Sequence, residues 1–253
     1  MRLSRRGAIH SSGKGAVEVT FTGEHTETVI TYNGESWRLF AMTSSGVLKA
    51  SKEFKALLWM CSGGENGVNK KRGGDGAYFM PAKEVEVGKE TVVVIAAGNS
   101  TKGTTFGNLT TDVKGSGGGA FGQGGTAGTG GGVSTIPFGD NTIFLKLCAG
   151  GGGGTAQKHG GVGGSNGSNG GAIGGYPTTG SIGNTIAGGA DGGGHGGKKG
   201  NGNTRGTEGG DATAYGSGGG SAGAYMNNNS ELIAGTDGKG YQGVAYLLLP
   251  LAA

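Results

Sequence analysis

The sequence is poor in proline and cysteine and has no long apolar run. Four prolines and two cysteines occur in 253 residues. So few prolines exclude a collagen triple helix, which needs abundant proline in a strict glycine triplet. Two cysteines are too few for a small disulfide scaffold. No apolar run approaches the roughly 18 residues of a membrane-spanning helix. No apolar segment follows the basic N-terminus, so we expect synthesis in a cytoplasm without membrane insertion.

Signs of catalysis, metal binding and nucleic-acid binding are also scarce. No nucleophile elbow or phosphate-binding loop lies between a strand pattern and a helix pattern. The net charge is +4, but the basic residues form no continuous stripe with interleaved aromatics. We therefore expect no enzyme, no cofactor, no metal site and no nucleic-acid partner. The histidines are scattered singly in polar contexts: His10, His25, His159 and His195.

Glycine is the residue in excess, with 65 copies in the chain. Because it has no side chain to bury and loses the most backbone entropy on ordering, this composition disfavours an ordinary globular enzyme. The excess begins after about residue 60, and residues 150–243 hold 37 glycines. The composition predicts a β-rich unit at residues 1–61 and a glycine-rich unit at residues 62–253.

The first unit carries the patterns of antiparallel strands. Residues 16–22 alternate between apolar and polar side chains, as in a half-buried strand. Asn33 and Gly34 separate two β-rich segments and supply the positive φ angles of a type I′ hairpin turn. A further β-rich segment covers residues 47–61. These patterns predict a small antiparallel β unit with its own core.

The second unit alternates between short apolar runs and glycine tracts. Apolar runs at residues 92–97, 142–149 and 244–250 adjoin glycines and predict interspersed short strands, the last at the C-terminus. Residues 57–64 resemble residues 144–151, since each passes from an apolar run through a cysteine to glycines. This similarity indicates two copies of one local structure, in which a strand leads into a glycine segment. The two cysteines are Cys61 and Cys148; we expect buried, inert thiols, and their pairing stays open.

Glycines recur at every third position in several tracts. Three residues make one turn of the extended polyproline II helix, so this spacing gives the helix a face without side chains. Such faces let backbones approach until N–H groups meet carbonyls, as in a polyglycine II bundle. The alternative is a flexible linker. The repeated return to apolar strands, the terminal strand and the modest serine content favour order. The triplets include Gly119, Gly122, Gly125, Gly128 and Gly131, then Gly161, Gly164, Gly167 and Gly170, then Gly194, Gly197 and Gly200, and more weakly Gly64 with Gly67.

The predicted fold is therefore mostly β and irregular, with almost no α-helix. A small N-terminal antiparallel β unit precedes a polyglycine II helix bundle with short strands between its tracts.

An ordered series of sequence blocks resembles the glycine-rich domain proteins of tailed bacteriophages and prophages. The blocks lie at residues 40–48, 58–64, 103–107, 214–220 and 240–246. The resemblance covers most of the chain from about residue 37. It implies a virion protein at a tail fibre or baseplate, made in the host cytoplasm. It extends to polyglycine II tail-fibre tip adhesins, whose variable loops between glycine tracts touch the host receptor. By that analogy, residues 1–61 attach to other tail proteins, although this β unit differs from the adhesins' attachment domain.

Candidate receptor contacts lie in the breaks between the glycine tracts. Tyrosine offers contact area at low entropic cost and a polar tip suited to sugars or protein loops. The alternative is that these tyrosines cap the bundle ends while the polar residues are merely solvated. The candidates are Tyr176, His195, Lys198, Lys199, Arg205, Tyr215, Tyr225, Met226 and Asn227.

Four functions compete on these observations. The first is a host-receptor-binding adhesin, which contacts a protein or glycan on the bacterial surface. The second is a purely structural tail component without receptor contact. An ice-binding protein is the third, but it needs a regular face of small residues, and the interruptions here vary. A disordered matrix protein is the fourth, and the β unit and terminal strand disfavour it.

Overall fold

The computed structural model describes fourteen strands and the segments around them. The described residues are 17–32, 35–67, 74, 76–77, 79–111, 134–138, 141–145, 194, 208–213, 215–220, 222, 224–226 and 232–251. Within these ranges the chain is all-β and forms no helix, as the sequence predicted, and hence no apolar helix of membrane-spanning length. The strands are β1 (Val19–Phe21), β2 (His25–Tyr32), β3 (Glu35–Met42), β4 (Gly46–Ala50), β5 (Phe54–Cys61), β6 (Phe79–Val87), β7 (Glu90–Val94), β8 (Thr105–Phe106), β9 (Leu109–Thr110), β10 (Ser134–Phe138), β11 (Asn141–Leu145), β12 (Ala224–Met226), β13 (Leu232–Ala234) and β14 (Val244–Leu251).

Two five-stranded antiparallel sheets form the body of the described part. Sheet 1 has the strand order β2-β3-β14-β5-β6, and sheet 2 has the order β1-β4-β7-β8-β9. Two separate hairpins pair β10 with β11 and β12 with β13. The predicted hairpin is confirmed, because Tyr32 pairs with Glu35 across a two-residue connection. The segment predicted at residues 47–61 divides into β4 and β5, which belong to different sheets.

The main core lies between the two sheets. Sheet 1 contributes large buried side chains such as Phe40, Leu58 and Leu247, and sheet 2 contributes Leu48 and Phe106. Each such side chain stabilises the fold by about 1.5–3 kcal/mol relative to exposure. The alternation expected of a half-buried strand is clear in β7, whose residues are alternately exposed and buried.

The centre of sheet 1 is buried on both faces. Leu247 and Leu249 of β14 face the main core, while Leu248 faces a second cluster on the other side of the sheet. This double burial explains why β14 is continuously apolar instead of alternating. We call the second group the Trp59 cluster; its buried members are Leu39, Trp59, Cys61, Val244, Tyr246 and Leu248.

The C-terminal strand lies in the middle of sheet 1. One side of β14 pairs with β3, where Leu247 lies opposite Phe40, and the other side pairs with β5, where Leu247 lies opposite Leu58. Both sheets therefore draw strands from residues 1–61 and from residues 62–253.

Beyond the strands, glycine-rich segments bond to one another through their backbones. We call residues 62–67, 74, 76–77, 96–99, 194, 208–213, 216–220 and 235–243 the glycine network. Along this network the hydrogen bonds recur at every third residue. Gly64 N–H donates to Tyr241 O and Gly67 N–H to Gly238 O, each at 2.9 Å. A β-ladder repeats its bonds at every second residue instead.

Side chains are excluded where these segments meet. A Cβ on Gly64 would overlap the carbonyl oxygen of Ser217, and one on Gly238 would overlap that of Gly210. The backbones thus lie too close together for any residue larger than glycine. The glycine triplets at residues 119–131, 161–170 and 197–200 lie outside the described residues, as does Cys148.

Candidate functional site

The structure gives a side-chain position to one of the nine candidate receptor contacts, Tyr215. Two others, Tyr225 and Met226, lie on β12, where they pair with Ile233 and Leu232 of β13. The remaining six lie outside the described residues: Tyr176, His195, Lys198, Lys199, Arg205 and Asn227.

Tyr215 forms an aromatic pair with Tyr241. Their ring centroids are 5.5 Å apart and the ring planes are inclined at 62°, which is an edge-to-face arrangement. Tyr215 is half-buried and packs against the Trp59 cluster, whereas Tyr241 is 38% exposed. One ring is therefore anchored on sheet 1 and the other presents its surface to solvent.

Backbone hydrogen bonds fix the two tyrosines relative to each other. Tyr241 N–H donates to Ser217 O at 2.9 Å, and Gly216 N–H donates to Gln242 O at 2.8 Å. Gly216 has a φ of 74°, which only glycine adopts without strain, and this lets the chain turn directly after Tyr215. The side-chain amide of Gln242 donates to Thr43 O at 2.6 Å and ties the pair to the end of β3.

Two asparagine side chains hold the adjoining part of the glycine network. Asn99 Oδ1 accepts from Asn66 N–H at 3.2 Å, and Asn66 Oδ1 accepts from Gly240 N–H at 2.9 Å. Asn99 N–H donates to Gly64 O at 2.7 Å. Asn99 is exposed and has a left-handed backbone with φ of 58°, a conformation that asparagine tolerates better than most residues.

We use the name Tyr241 surface for four residues on neighbouring hydrogen-bonded segments: Tyr215, Tyr241, Asn66 and Asn99. It combines an exposed tyrosine ring with asparagine side chains, residue types that can bind sugar rings or protein loops through stacking and hydrogen bonds. In the described part of the chain, no three His, Cys, Asp or Glu side chains come close enough together to hold a metal ion.

Of these four residues, only Tyr215 is among the candidate contacts predicted from the sequence. Tyr241 lies between glycines in the segment Gly240 to Gly243, and a large aromatic in such a context was the available signal. Asn66 and Asn99 carried no signal, since their role depends on which backbone donors the fold brings to them.

Away from this surface, one titratable group has a clearly perturbed pKa. Glu84 accepts a hydrogen bond of 3.1 Å from Lys55 between β5 and β6, and this bond and the charge of Glu84 raise the pKa of Lys55. The pair is exposed, so it contributes little to the fold.

Comparison with known proteins identifies no relative of the chain. No family model matches it, and neither the curated proteins nor the solved structures include a match.

Proposed function

We propose that this chain is a virion protein of a tailed bacteriophage, located at a tail fibre or the baseplate, and that it binds a receptor on the bacterial surface. In this proposal, residues 1–61 attach to other tail proteins and the glycine-rich part displays the receptor-binding surface. The ligand is a bacterial surface protein or glycan.

The glycine network supports the polyglycine II part of this proposal. Hydrogen bonds at every third residue are those expected between helices with three residues per turn. Neighbours run in both directions: Gly209 and Ala212 N–H groups donate to Thr236 and Lys239 carbonyls in parallel, at 2.9 and 2.8 Å. Gly238 and Tyr241 donate to Gly220 and Ser217 in antiparallel order.

The number of neighbours supports the same interpretation. The segment at residues 236–241 bonds to three others, at residues 64–67, 209–212 and 217–220. A strand in a sheet has at most two hydrogen-bonded neighbours, whereas a three-fold helix directs its groups to several sides. We infer that the glycine network belongs to the predicted polyglycine II bundle.

The observation that carries the adhesin proposal is the Tyr241 surface. Its backbone is held by the glycine network, so binding costs little ordering of the chain. Tyr241 is 38% exposed and is supported by Tyr215, which leaves a rigid aromatic surface for a sugar ring or a protein loop.

The test is binding of the purified chain to intact cells and cell-wall fractions of the host bacterium. We expect binding that Tyr241→Ala weakens by about tenfold or more, as for an exposed anchor residue. Val92→Ala is the control truncation, because Val92 is also exposed, at 54%, but lies on β7 of sheet 2. Unchanged binding by Tyr241→Ala, with the fold intact, would contradict the assignment of this surface.

Location in the virion needs a separate measurement. Immunogold labelling of purified phage particles should mark the tail. Label on the tail without any cell binding would favour the purely structural role. Absence of the chain from particles would contradict both.

A further inference from the structure

In the described part of the chain, strand β2 forms an edge of sheet 1. It is eight residues long, and its pairing with β3 is continuous from His25 opposite Met42 to Tyr32 opposite Glu35. Among the described strands, none pairs with its other side. Thr26, Glu27, Thr28 and Val29 are all exposed, and Val29, at 58%, is an exposed large hydrophobic residue.

The other three edges of the two five-stranded sheets carry the features that block edge-to-edge pairing. Strand β6 contains Pro81 and several charged residues, and its register with β5 shifts between Leu58 and Met60. In sheet 2, the edge strands β1 and β9 are only three and two residues long. Proline, charge, bulges and short length are the usual protections of an edge. Strand β2 has no proline, lysine, glycine or register shift.

The hydrogen-bonding groups of β2 can be assigned to its two sides. Glu24 lies opposite Thr43, one step beyond the pair of His25 and Met42, and Thr43 N–H donates to Glu24 O at 2.9 Å. Since bonded and non-bonded pairs alternate in an antiparallel ladder, the even-numbered residues of β2 bond to β3. The odd-numbered residues Glu27, Val29 and Thr31 therefore turn their backbone N–H and C=O groups outward.

We propose that β2 pairs with β2 of a second copy of this chain, antiparallel about a two-fold axis at Val29. The pairing joins two copies of sheet 1 into one ten-stranded sheet. A two-fold axis makes the strand its own complement, because each copy supplies the donors that the other accepts. Val29 then lies opposite Val29 of the second copy, and Glu27 lies opposite Thr31.

Charge favours a second copy as the occupant and Val29 as the centre. An axis at Glu27 would oppose two Glu27 carboxylates, which is unfavourable. An axis at Thr31 would pair only residues 30–32 of each copy, because β2 ends at Tyr32. The carboxylate of Glu27 already lies 3.7 Å from the guanidinium of Arg38 in its own chain. The edge thus requires no basic strand from another protein, and its β-branched residues pair well across strands.

Sedimentation of the full-length chain tests the proposal, which does not depend on the proposed function. We expect a particle of twice the 24.7 kDa chain mass. Val29→Lys should reduce it to a single chain, because two lysines would face each other at the axis. The matched control Val92→Lys, at a valine that is similarly exposed on an interior strand, should remain dimeric. A monomeric wild type, or an assembly that Val29→Lys leaves intact, would overturn the proposal.

Residue-resolved hydrogen exchange on the wild-type chain gives a test without any substitution. Amides of Thr26 and Thr28 should be protected at every concentration, because they bond to β3. Those of Glu27, Val29 and Thr31 should lose protection as the protein is diluted. Concentration-independent exchange of these three amides would overturn the proposal even if the chain were dimeric by another interface.

Discussion

Gly98 lies directly against the carbonyl group of Gly240, so closely that a Cβ on Gly98 would overlap the carbonyl oxygen. The two residues are 142 positions apart and belong to different segments of the glycine network. No side chain separates them. Contacts of this kind take the place that interdigitating apolar side chains hold in an ordinary core.

Gly98→Ala should lower the free energy of unfolding. The added methyl group has no space, so the backbone must shift, and overpacking of this kind costs about 1–3 kcal/mol. The matched control is Gly88→Ala in the β6–β7 connection, where the nearest atom to a Cβ would be Glu90 O at 3.7 Å. That substitution should be neutral or stabilise by up to about 1 kcal/mol, since it restricts the unfolded chain. Denaturant unfolding of both variants measures the difference. Equal stability of the two would contradict a close-packed backbone contact at Gly98.

The stability of the protein should depend more on the side-chain carbonyl group of Asn99 than on its side-chain nitrogen. Asn99→Ala removes the acceptor for Asn66 N–H and places alanine at a φ of 58°, which together should cost about 1–3 kcal/mol. Asn99→Asp keeps an oxygen acceptor and a residue type that tolerates this backbone. Thermal unfolding should rank Asn99→Asp above Asn99→Ala. The reverse order would show that the hydrogen bond to Asn66 N–H does not stabilise the turn.

Removal of β14 should unfold sheet 1. A chain ending at residue 243 lacks the strand between β3 and β5, which splits the sheet and exposes both apolar clusters. We expect loss of the cooperative unfolding transition and of near-ultraviolet circular dichroism. The isolated fragment of residues 1–61 should likewise fail to fold, since it also lacks β6 and β7.

The single substitution Leu247→Ala is a milder form of the same test. Leu247 is fully buried, so its truncation should cost about 2–5 kcal/mol. Val92→Ala, at an exposed position of β7, should stay within about 0.5 kcal/mol of the wild type. A truncated chain that kept a cooperative transition would show that β14 is dispensable.

Local signals in the sequence predicted local structure well. The Asn33–Gly34 turn predicted the β2–β3 hairpin, and the apolar run at residues 244–250 predicted β14. The sequence did not indicate that β14 lies between β3 and β5, because pairing across about two hundred residues leaves no periodic trace in either strand. In the candidate site, Tyr215 was singled out from its local sequence as a candidate contact. Tyr241 was not, because its place beside Tyr215 depends on a contact between distant segments.

Glycine spacing is a partial guide to which backbone segments meet in the described part of the chain. The described hydrogen bonds at every third residue involve Gly64 and Gly67, which formed the weakest of the triplet sets. Their partners, Gly238 and Tyr241, are three apart but include a tyrosine. Only the residues that face another backbone must be glycine, so a regular glycine triplet is not needed on both segments. The stronger triplet sets lie mostly outside the described residues.

Amide hydrogen exchange tests the central claim that backbones in the glycine network are held by direct bonds to one another. The amides of Gly64, Gly67, Gly219, Gly238 and Tyr241 each donate to a carbonyl of another segment at 2.8–2.9 Å. They should exchange as slowly as the amides of β14 in the centre of sheet 1, because release requires the segments to separate. Exchange at the rate of an unstructured peptide at these five positions, with β14 still protected, would contradict the account.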